Sequence, residues 1–193
     1  MNTAPNSAPN QGANKTLRKR GDGRQALIDA ALLEFEESGF DGTNSNAIAR
    51  RAGYAPQTFY RHFEGKLAIF LAAYHSWADA EARAAAAAGS TKAVADAFIM
   101  HHRNHRVFRR SLRALTVSDP RVGAARAAMR RSQLRALADK NPAFGKREAA
   151  GQLAILLMIE RLCDAIADGE FAACSVSDED AAAELTKLLG GVV

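Results

Sequence analysis

Thr43-Asn44-Ser45-Asn46-Ala47-Ile48-Ala49-Arg50-Arg51-Ala52-Gly53-Tyr54-Ala55-Pro56-Gln57-Thr58-Phe59-Tyr60-Arg61-His62-Phe63 is the stretch on which the fold turns. It holds two short helical patterns around one breaker. Thr43 or Asn44 can accept the first free N–H groups of a helix, because each carries a side-chain oxygen within short reach of them. That helix runs to about Ala52 and buries Ala47, Ile48 and Ala52. Gly53 follows where a tight turn asks for positive φ, which glycine adopts without a steric penalty. Pro56 suits the first turn of the next helix, whose leading N–H has no intrahelical partner in any case. This second helix ends near His62 after about two turns, with Phe59, Phe63 and Ile48 as the core beneath it.

Working outward, Ile28, Ala31, Leu32 and Phe35 follow i, i+3, i+4, i+7 and form one apolar face of a helix from about Arg24 to Ser38, which Gly39 stops. After the quoted stretch a long helix is expected from about Gly65 to Ala88, with Phe70, Tyr74 and Trp77 on one face. Gly89-Ser90-Thr91 breaks it. A helix from about Thr91 to Val117 carries Val94, Phe98, His101, His105, Phe108, Leu112 and Leu115 as one continuous stripe. Asp119-Pro120 opens one or two helices to about Lys140, with Val122, Met129, Leu134 and Leu137 inward, and Asn141-Pro142 closes them. A helix from about Lys146 to Asp168 contains Leu153 to Ile159, apolar on every side, and so must be covered on every side. Gly169 ends it, and a last helix spans about Ser177 to Leu189. No alternating β-branched run argues for a sheet, so the fold class is all-α.

Composition sets outer limits. The 193 residues allow one or two domains, and 48% hydrophobic residues suit a globular chain. No apolar run is long enough to span a bilayer, and the first twenty residues lack the apolar middle of a secretory signal. A cytoplasmic protein without a membrane partner is expected. Cys163 and Cys174 stand in no metal-ligand or CxxC spacing, which fits a reducing compartment. The formal net charge of +5 is unevenly spread. Residues 1–24 hold five Lys or Arg against one Asp, in a Pro/Asn/Ala/Gly context that reads as a flexible arm or a solubilising tail. Residues 101–135 hold ten Arg against Asp119, either as a solvated outer face or as a field for an acidic effector.

The two short helices and their turn read as a helix-turn-helix. Arg24, Ile28, Ala31, Phe35, Gly39-Phe40, Thr43, Ile48-Ala49, Ala52-Gly53, Thr58, Tyr60, His62-Phe63 and Lys66, in that order and spacing, resemble the TetR (tetracycline repressor) family of transcription regulators. The close resemblance covers about 50 residues. It implies a three-helix DNA-binding head over residues 23–70, with its motif at about 44–63. A basic arm over residues 1–22 precedes the head, and an all-helical ligand-binding and dimerisation domain over 71–193 follows it. Asn44, Ser45, Asn46, Pro56, Gln57, Thr58, Tyr60, Arg61, His62 and Lys66 are then the residues expected to meet double-stranded DNA. Asn46 and Gln57 are those expected to read bases, because an amide can pair with adenine N6 and N7. Lys66 would meet phosphate, while His62 could as well cap or pack. Asn44 stands where Thr is usual, and Ala55 where a Ser or Thr usually caps.

The resemblance further implies a homodimer built on the last two long helices, with Leu153, Leu156, Leu157, Ile159, Leu185 and Leu188 as candidate interface residues. Two reading helices would then lie roughly 34–36 Å apart, matching a near-palindromic operator. Repression released by a small-molecule effector is the implied function, with the helix after Lys66 as lever. Trp77, Phe98, His101, His105, Phe108 and Met129 are the pocket candidates. No cofactor and no metal site is expected, and no catalytic constellation is present. A sequence-nonspecific DNA-architectural protein, or a helical ligand carrier with vestigial DNA binding, would share these features. Tight binding to one DNA site separates a regulator from both.

Overall fold

The computed structural model describes residues 22–192, and every regular element among them is a helix. In chain order they are α1 (Asp22–Gly42), α2 (Ser45–Arg51), α3 (Pro56–His62), α4 (Lys66–Ala87), α5 (Thr91–Asn104), α6 (Arg106–Ser118), α7 (Pro120–Lys140), α8 (Pro142–Gly145), α9 (Ala149–Ala167), α10 (Glu170–Ala173) and α11 (Asp178–Gly190). The expected basic arm lies outside the described residues except for Asp22, where α1 begins.

The expected single helix from Thr91 to Val117 is two. His105 leaves helical torsions with φ −134 and ψ 31, and its N–H turns back to the His102 carbonyl at 3.2 Å. α6 then starts afresh, and its first free N–H groups are not capped locally. The Glu36 carboxylate of α1 accepts them, from Val107 at 3.1 Å and from Phe108 at 3.0 Å. A cap drawn from 71 residues away cannot be seen in a local pattern. The short helices α8 and α10 differ from α6 in being set by local residues close behind the preceding helix. Asn141 accepts from Ala143 and Phe144, and Gly169 takes the left-handed conformation at φ 77.

Two apolar clusters fill the interior. The first joins Phe35, Ile48 and Phe59 of the N-terminal helices to Phe70, Tyr74 and Trp77 of α4, Phe108 and Leu112 of α6, and Val122 of α7. The second joins Val94 and Ile99 of α5 to Ile159, Cys163 and Ile166 of α9 and to Leu185 and Leu189 of α11. The first cluster runs without a gap through residue 70, so the N-terminal head shares its core with the helices behind it.

Candidate nucleic-acid interface

The turn between α2 and α3 is fixed by its own backbone. Gly53 has φ 74; its N–H donates to the Arg50 carbonyl at 3.0 Å and that of Tyr54 to Ala49 at 2.9 Å. These two bonds satisfy carbonyls that the end of α2 would leave open, and they need a left-handed residue at Gly53. Asn44 caps α2, its oxygen accepting from Asn46 and Ala47 at 3.0 Å each. Ala55 gives α3 no side-chain cap. Instead the Thr58 N–H reaches the Ala55 carbonyl at 2.9 Å, tightening the first turn after Pro56.

Beneath this turn Ile48, Ala49 and Phe59 are fully buried and Phe63 nearly so. Above it the surface is polar. Asn44, Asn46, Pro56, Gln57, Tyr60 and Arg61 are exposed, and Ser45, Thr58, His62 and Lys66 are half-buried. Tyr60 is 59% exposed, its ring edge-on to Phe59. His62 packs against the first turn of α1, where a Cβ placed on Gly23 would come within 3.5 Å of its Nε2.

An ionic clip sets the angle between α1 and the motif. Arg51 of α2 donates to Glu34 at 2.6 Å and to Glu37, and Thr43 donates to Glu34 at 2.8 Å. Burial alone would raise the Glu34 carboxyl, but the Arg51 and Thr43 bonds bring it below its ordinary value. Lys66 differs from a free phosphate-binding lysine. Its ammonium donates to the Phe40 carbonyl at 2.6 Å and to Thr43 at 3.1 Å, and it lies 4.2 Å from the Phe40 ring centre. Two of its three donors thus tie the start of α4 to the end of α1. Gly39 at that end has φ 68, and the Phe40 N–H beyond it donates to Ser111 Oγ of α6 at 3.1 Å. The head is therefore tied to α4 through Lys66 and to α6 through Glu36 and Ser111.

Behind the head, the arginines of residues 101–135 divide: Arg106, Arg110, Arg121, Arg131 and Arg135 are exposed as a solvated face, while Arg109 and Arg126 are buried. Arg109 and Asp164 are each 3% exposed and meet at 3.1 Å. Asp164 also accepts from Arg113 at 2.7 Å and from His102 Nδ1 at 2.8 Å, while His102 Nε2 donates to Glu81 at 3.0 Å. One turn earlier on the same face of α9, Glu160 accepts from Arg126 at 2.7 Å and Arg130 at 2.6 Å. Burial works against charge on His102, but its bonds to Asp164 and Glu81 outweigh that and raise its pKa. Burial likewise works against the Asp164 carboxylate, and the His102 and Arg109 partners hold its pKa far below the usual carboxylate range.

His102, the centre of this network, is not among the histidines singled out by the helical stripe. The legible hint is Asp164, an acid inside an apolar helix. His101 and His105 are instead packed locally: His101 Nε2 donates to the Trp77 carbonyl at 3.0 Å, and His105 Nδ1 to the His101 carbonyl at 2.9 Å. Burial pushes the His101 pKa down, favouring the neutral ring. Among the described residues no group of three or more His, Cys, Asp and Glu side chains could hold a metal ion.

A cavity of about 380 Å³ lies between α4 and α7, floored by α5, α9 and α11. Phe98 and Met129 line it, but Trp77, His101, His105 and Phe108 do not reach its wall; their apolar faces are taken up in mutual stacking, with Trp77 on His101 at 4.7 Å. His102, Glu81, Gln133 and Glu160 line it as well.

The candidate dimer residues also divide. Leu156, Ile159 and Leu185 are buried within their own chain, Ile159 and Leu185 in the cluster that α5, α9 and α11 share and Leu156 on the cavity wall. Leu153 and Leu157 stay 39% exposed and Met158 55%. Leu188 is half-buried beside an open apolar groove shared with Leu157, Met158, Leu162, Phe171 and Val176. Among the described residues no helix is long and apolar enough to cross a membrane.

Comparison with known proteins matches residues 27–73 to the family described as bacterial regulatory proteins, tetR family. The HTH-type transcriptional regulator SrpR of Pseudomonas putida is 40% identical over 60 residues, which are 31% of this chain and 28% of that protein. A second HTH-type transcriptional regulator of Pseudomonas putida, TtgW, is also 40% identical over 60 residues, again 31% of this chain and 45% of that one. The matched stretch thus spans less than half of either relative. Over the whole chain the likeness is one of fold. A TetR-family crystal structure from Rhodococcus sp. has a TM-score of 0.69 at 20% identity, covering 89% of this chain and 98% of that one. The fatty acid degradation regulator FadR from Bacillus halodurans has a TM-score of 0.61 at 18% identity, covering 90% and 98%.

Proposed function

We propose that this chain, whose residues 27–73 match the tetR family of bacterial regulatory proteins, is a cytoplasmic transcriptional regulator that binds a near-palindromic DNA operator as a homodimer. The observation that carries this reading is the two-sided character of α2 and α3. Their apolar side is wholly taken up by the core, while the opposite side offers two amides, a phenol and a guanidinium in one patch. An amide or guanidinium can pair with base edges, whereas the Tyr60 hydroxyl suits phosphate. Asn44, Ser45, Pro56, Thr58, His62 and Lys66 surround that patch as phosphate-contacting and positioning residues. Residues 23–70 act as the DNA-binding head, and 71–193 as the regulatory and dimerisation part. The exposed Leu153, Leu157 and Met158 of α9 face the second subunit, with Leu188 at the edge.

Repression relieved by a small molecule follows if the cavity is the effector site. Its wall contains Glu81 and His102, and the network through Asp164 leads to Arg109 and Arg113 of α6. The same helix is clamped to α1 by Glu36 and Ser111. A ligand that favours one arrangement of α6 shifts the population of head spacings, and only the matching spacing fits successive major grooves. Such couplings typically amount to ~1–3 kcal/mol.

DNA selection from random sequence, followed by binding at several salt concentrations, tests the reading. A specific site is expected to bind at least roughly 10³-fold tighter than random DNA. Gln57→Ala is expected to relax preference at one operator position by ~1–3 kcal/mol. A preference unchanged by that substitution would remove Gln57 from base readout, and failure to select any site would overturn the regulator reading.

A further inference from the structure

We propose that the cavity between α4 and α7 takes a small amphipathic cation, an amine with a short apolar body, whose ammonium docks on Glu81. For its biological consequence this rests on the regulator reading above; for its chemistry it rests on the cavity alone. The volume of about 380 Å³ is at the small end of the ~300–1,000 Å³ usual for ligand sites. Val94, Phe98, Met129, Leu156 and Ile159 supply an apolar body for the wall.

The polar groups decide the sign of the ligand. His102 has both ring nitrogens engaged, one with Asp164 and one with Glu81. Glu160 has both oxygens engaged by Arg126 and Arg130. Glu81 is bonded only through Oε1, so its Oε2 is open to a donor. Gln133 Oε1 is buried without a partner and lines the same cavity. A buried acceptor without a donor is a standing energetic cost that a ligand N–H removes.

An anion has no such welcome. Of the arginines that argued from sequence for an acidic effector, Arg109, Arg110, Arg113, Arg126 and Arg130 are committed to Asp164, Asp168 and Glu160, and none of the ten lines the cavity. Lys140, the remaining cation of the wall, is exposed. An ammonium carries three donors and no acceptor, so Glu81 Oε2 and Gln133 Oε1 both suit it. Its charge would also compete with His102 for Glu81, and His102 is one bond from Asp164 and two from α6. The head group is thereby connected to the helix that clamps the DNA-binding head.

Calorimetric titration of the full DNA-free chain with octylamine, octanol and octanoate varies the head on one tail. Octylamine is expected to bind on the order of tenfold tighter than octanoate, with octanol between. Glu81→Gln is expected to bring octylamine to the level of octanol. Octanoate binding as tightly as octylamine overturns the proposal, as does an amine preference that survives Glu81→Gln. Should Glu81→Gln not fold, Gln133→Leu serves: it is expected to weaken octylamine about threefold or more, and an unchanged affinity counts against the proposal. The titration contains no DNA, so its failure leaves the selected operator standing. Amine binding by a chain that selects no operator would remove only the regulator reading.

Discussion

The head and the helices behind it solve the same packing problem with opposite materials. In the head the interior is aromatic and aliphatic: Phe35, Phe59, Ile48 and Phe70 are fully buried, and the ionic clip of Arg51, Glu34 and Glu37 stays near the surface. In the helices behind the head, full charges lie inside: His102, Arg109 and Asp164 are each 3% exposed and Arg126 5%. Apolar contacts are non-directional and degrade gradually when a side chain is trimmed. A buried ion network depends on every member, because losing one leaves its partners charged and dry. The difference teaches where each half tolerates change. On the function proposed above, a head that holds one geometry for a groove is built from contacts with no alternative pairing, and a half proposed to respond to a ligand is built from bonds that can be exchanged.

The sharpest way to break that contrast is Asp164→Ala. Three cations, His102, Arg109 and Arg113, lose a common partner, and unfolding in urea is expected to show a loss of ~3–5 kcal/mol. Replacing His102, Arg109 and Asp164 together by apolar residues of similar size should recover most of that loss while abolishing any ligand response. A triple variant no more stable than Asp164→Ala would mean that shape, not charge pairing, holds α9 in place.

A smaller effect should appear in the pH profile. His102 has a raised pKa in the folded chain, so its contribution is fully present below the ~6.5 of an unfolded histidine and is lost as pH rises through the folded value. Asp164, with its lowered value, contributes above the unfolded carboxylate pKa, and that contribution is lost only in strong acid. Stability is therefore expected to decline from neutral toward alkaline pH in a step that His102→Gln lacks. Glu81, Asp164, Arg109 and His101 all face or adjoin His102, so the step belongs to the cluster. An identical alkaline decline in both proteins would assign it elsewhere.

The same contrast explains what can be read without coordinates. The head is legible because its determinants are local: Gly53, Pro56, Asn44 and the 3.6-residue spacing each act within one turn of chain. The division of α5 from α6 is not, since its cause is Glu36, far away in sequence. The arginine cluster is legible only in part, for a related reason: five of its arginines are exposed, and the others are buried or half-buried. Charge counted along the chain says nothing of which carboxylate folds against it, and Asp164, Asp168 and Glu160 all come from one distant helix or its end. The candidate dimer residues divide because an all-apolar helix does not say which of its faces its own chain covers. Leu156 faces the cavity and Ile159 the cluster with α5 and α11, and Leu153 and Leu157 are left outside.

Lys66 lies on the border between the two halves and sharpens the comparison from the side of the head. If its ammonium is chiefly a strut to the Phe40 and Thr43 carbonyls, Lys66→Met costs ~1–3 kcal/mol of stability through two lost charge-assisted bonds. If its third donor also reaches phosphate, the salt dependence of DNA binding falls by about one unit of slope, for all sequences alike. Both changes are expected. A reduced salt slope with unchanged stability would return Lys66 to the role of a free phosphate ligand.

The smallest effect isolates backbone geometry from everything else. Gly53 has φ 74, yet a Cβ added there would meet nothing within 4 Å. Gly53→Ala therefore introduces no clash, and its whole cost is the left-handed torsion, about 1 kcal/mol in stability. The two bonds from Gly53 and Tyr54 to Arg50 and Ala49 hold α3 at its angle to α2, so relaxation of that torsion would move Gln57 and Tyr60 together. DNA affinity is expected to fall by more than stability does, with base preference at the Gln57 position blurred but not shifted. A variant with the expected stability loss and unaltered DNA affinity would mean that the core under Phe59, and not the turn, sets the angle of the reading helix.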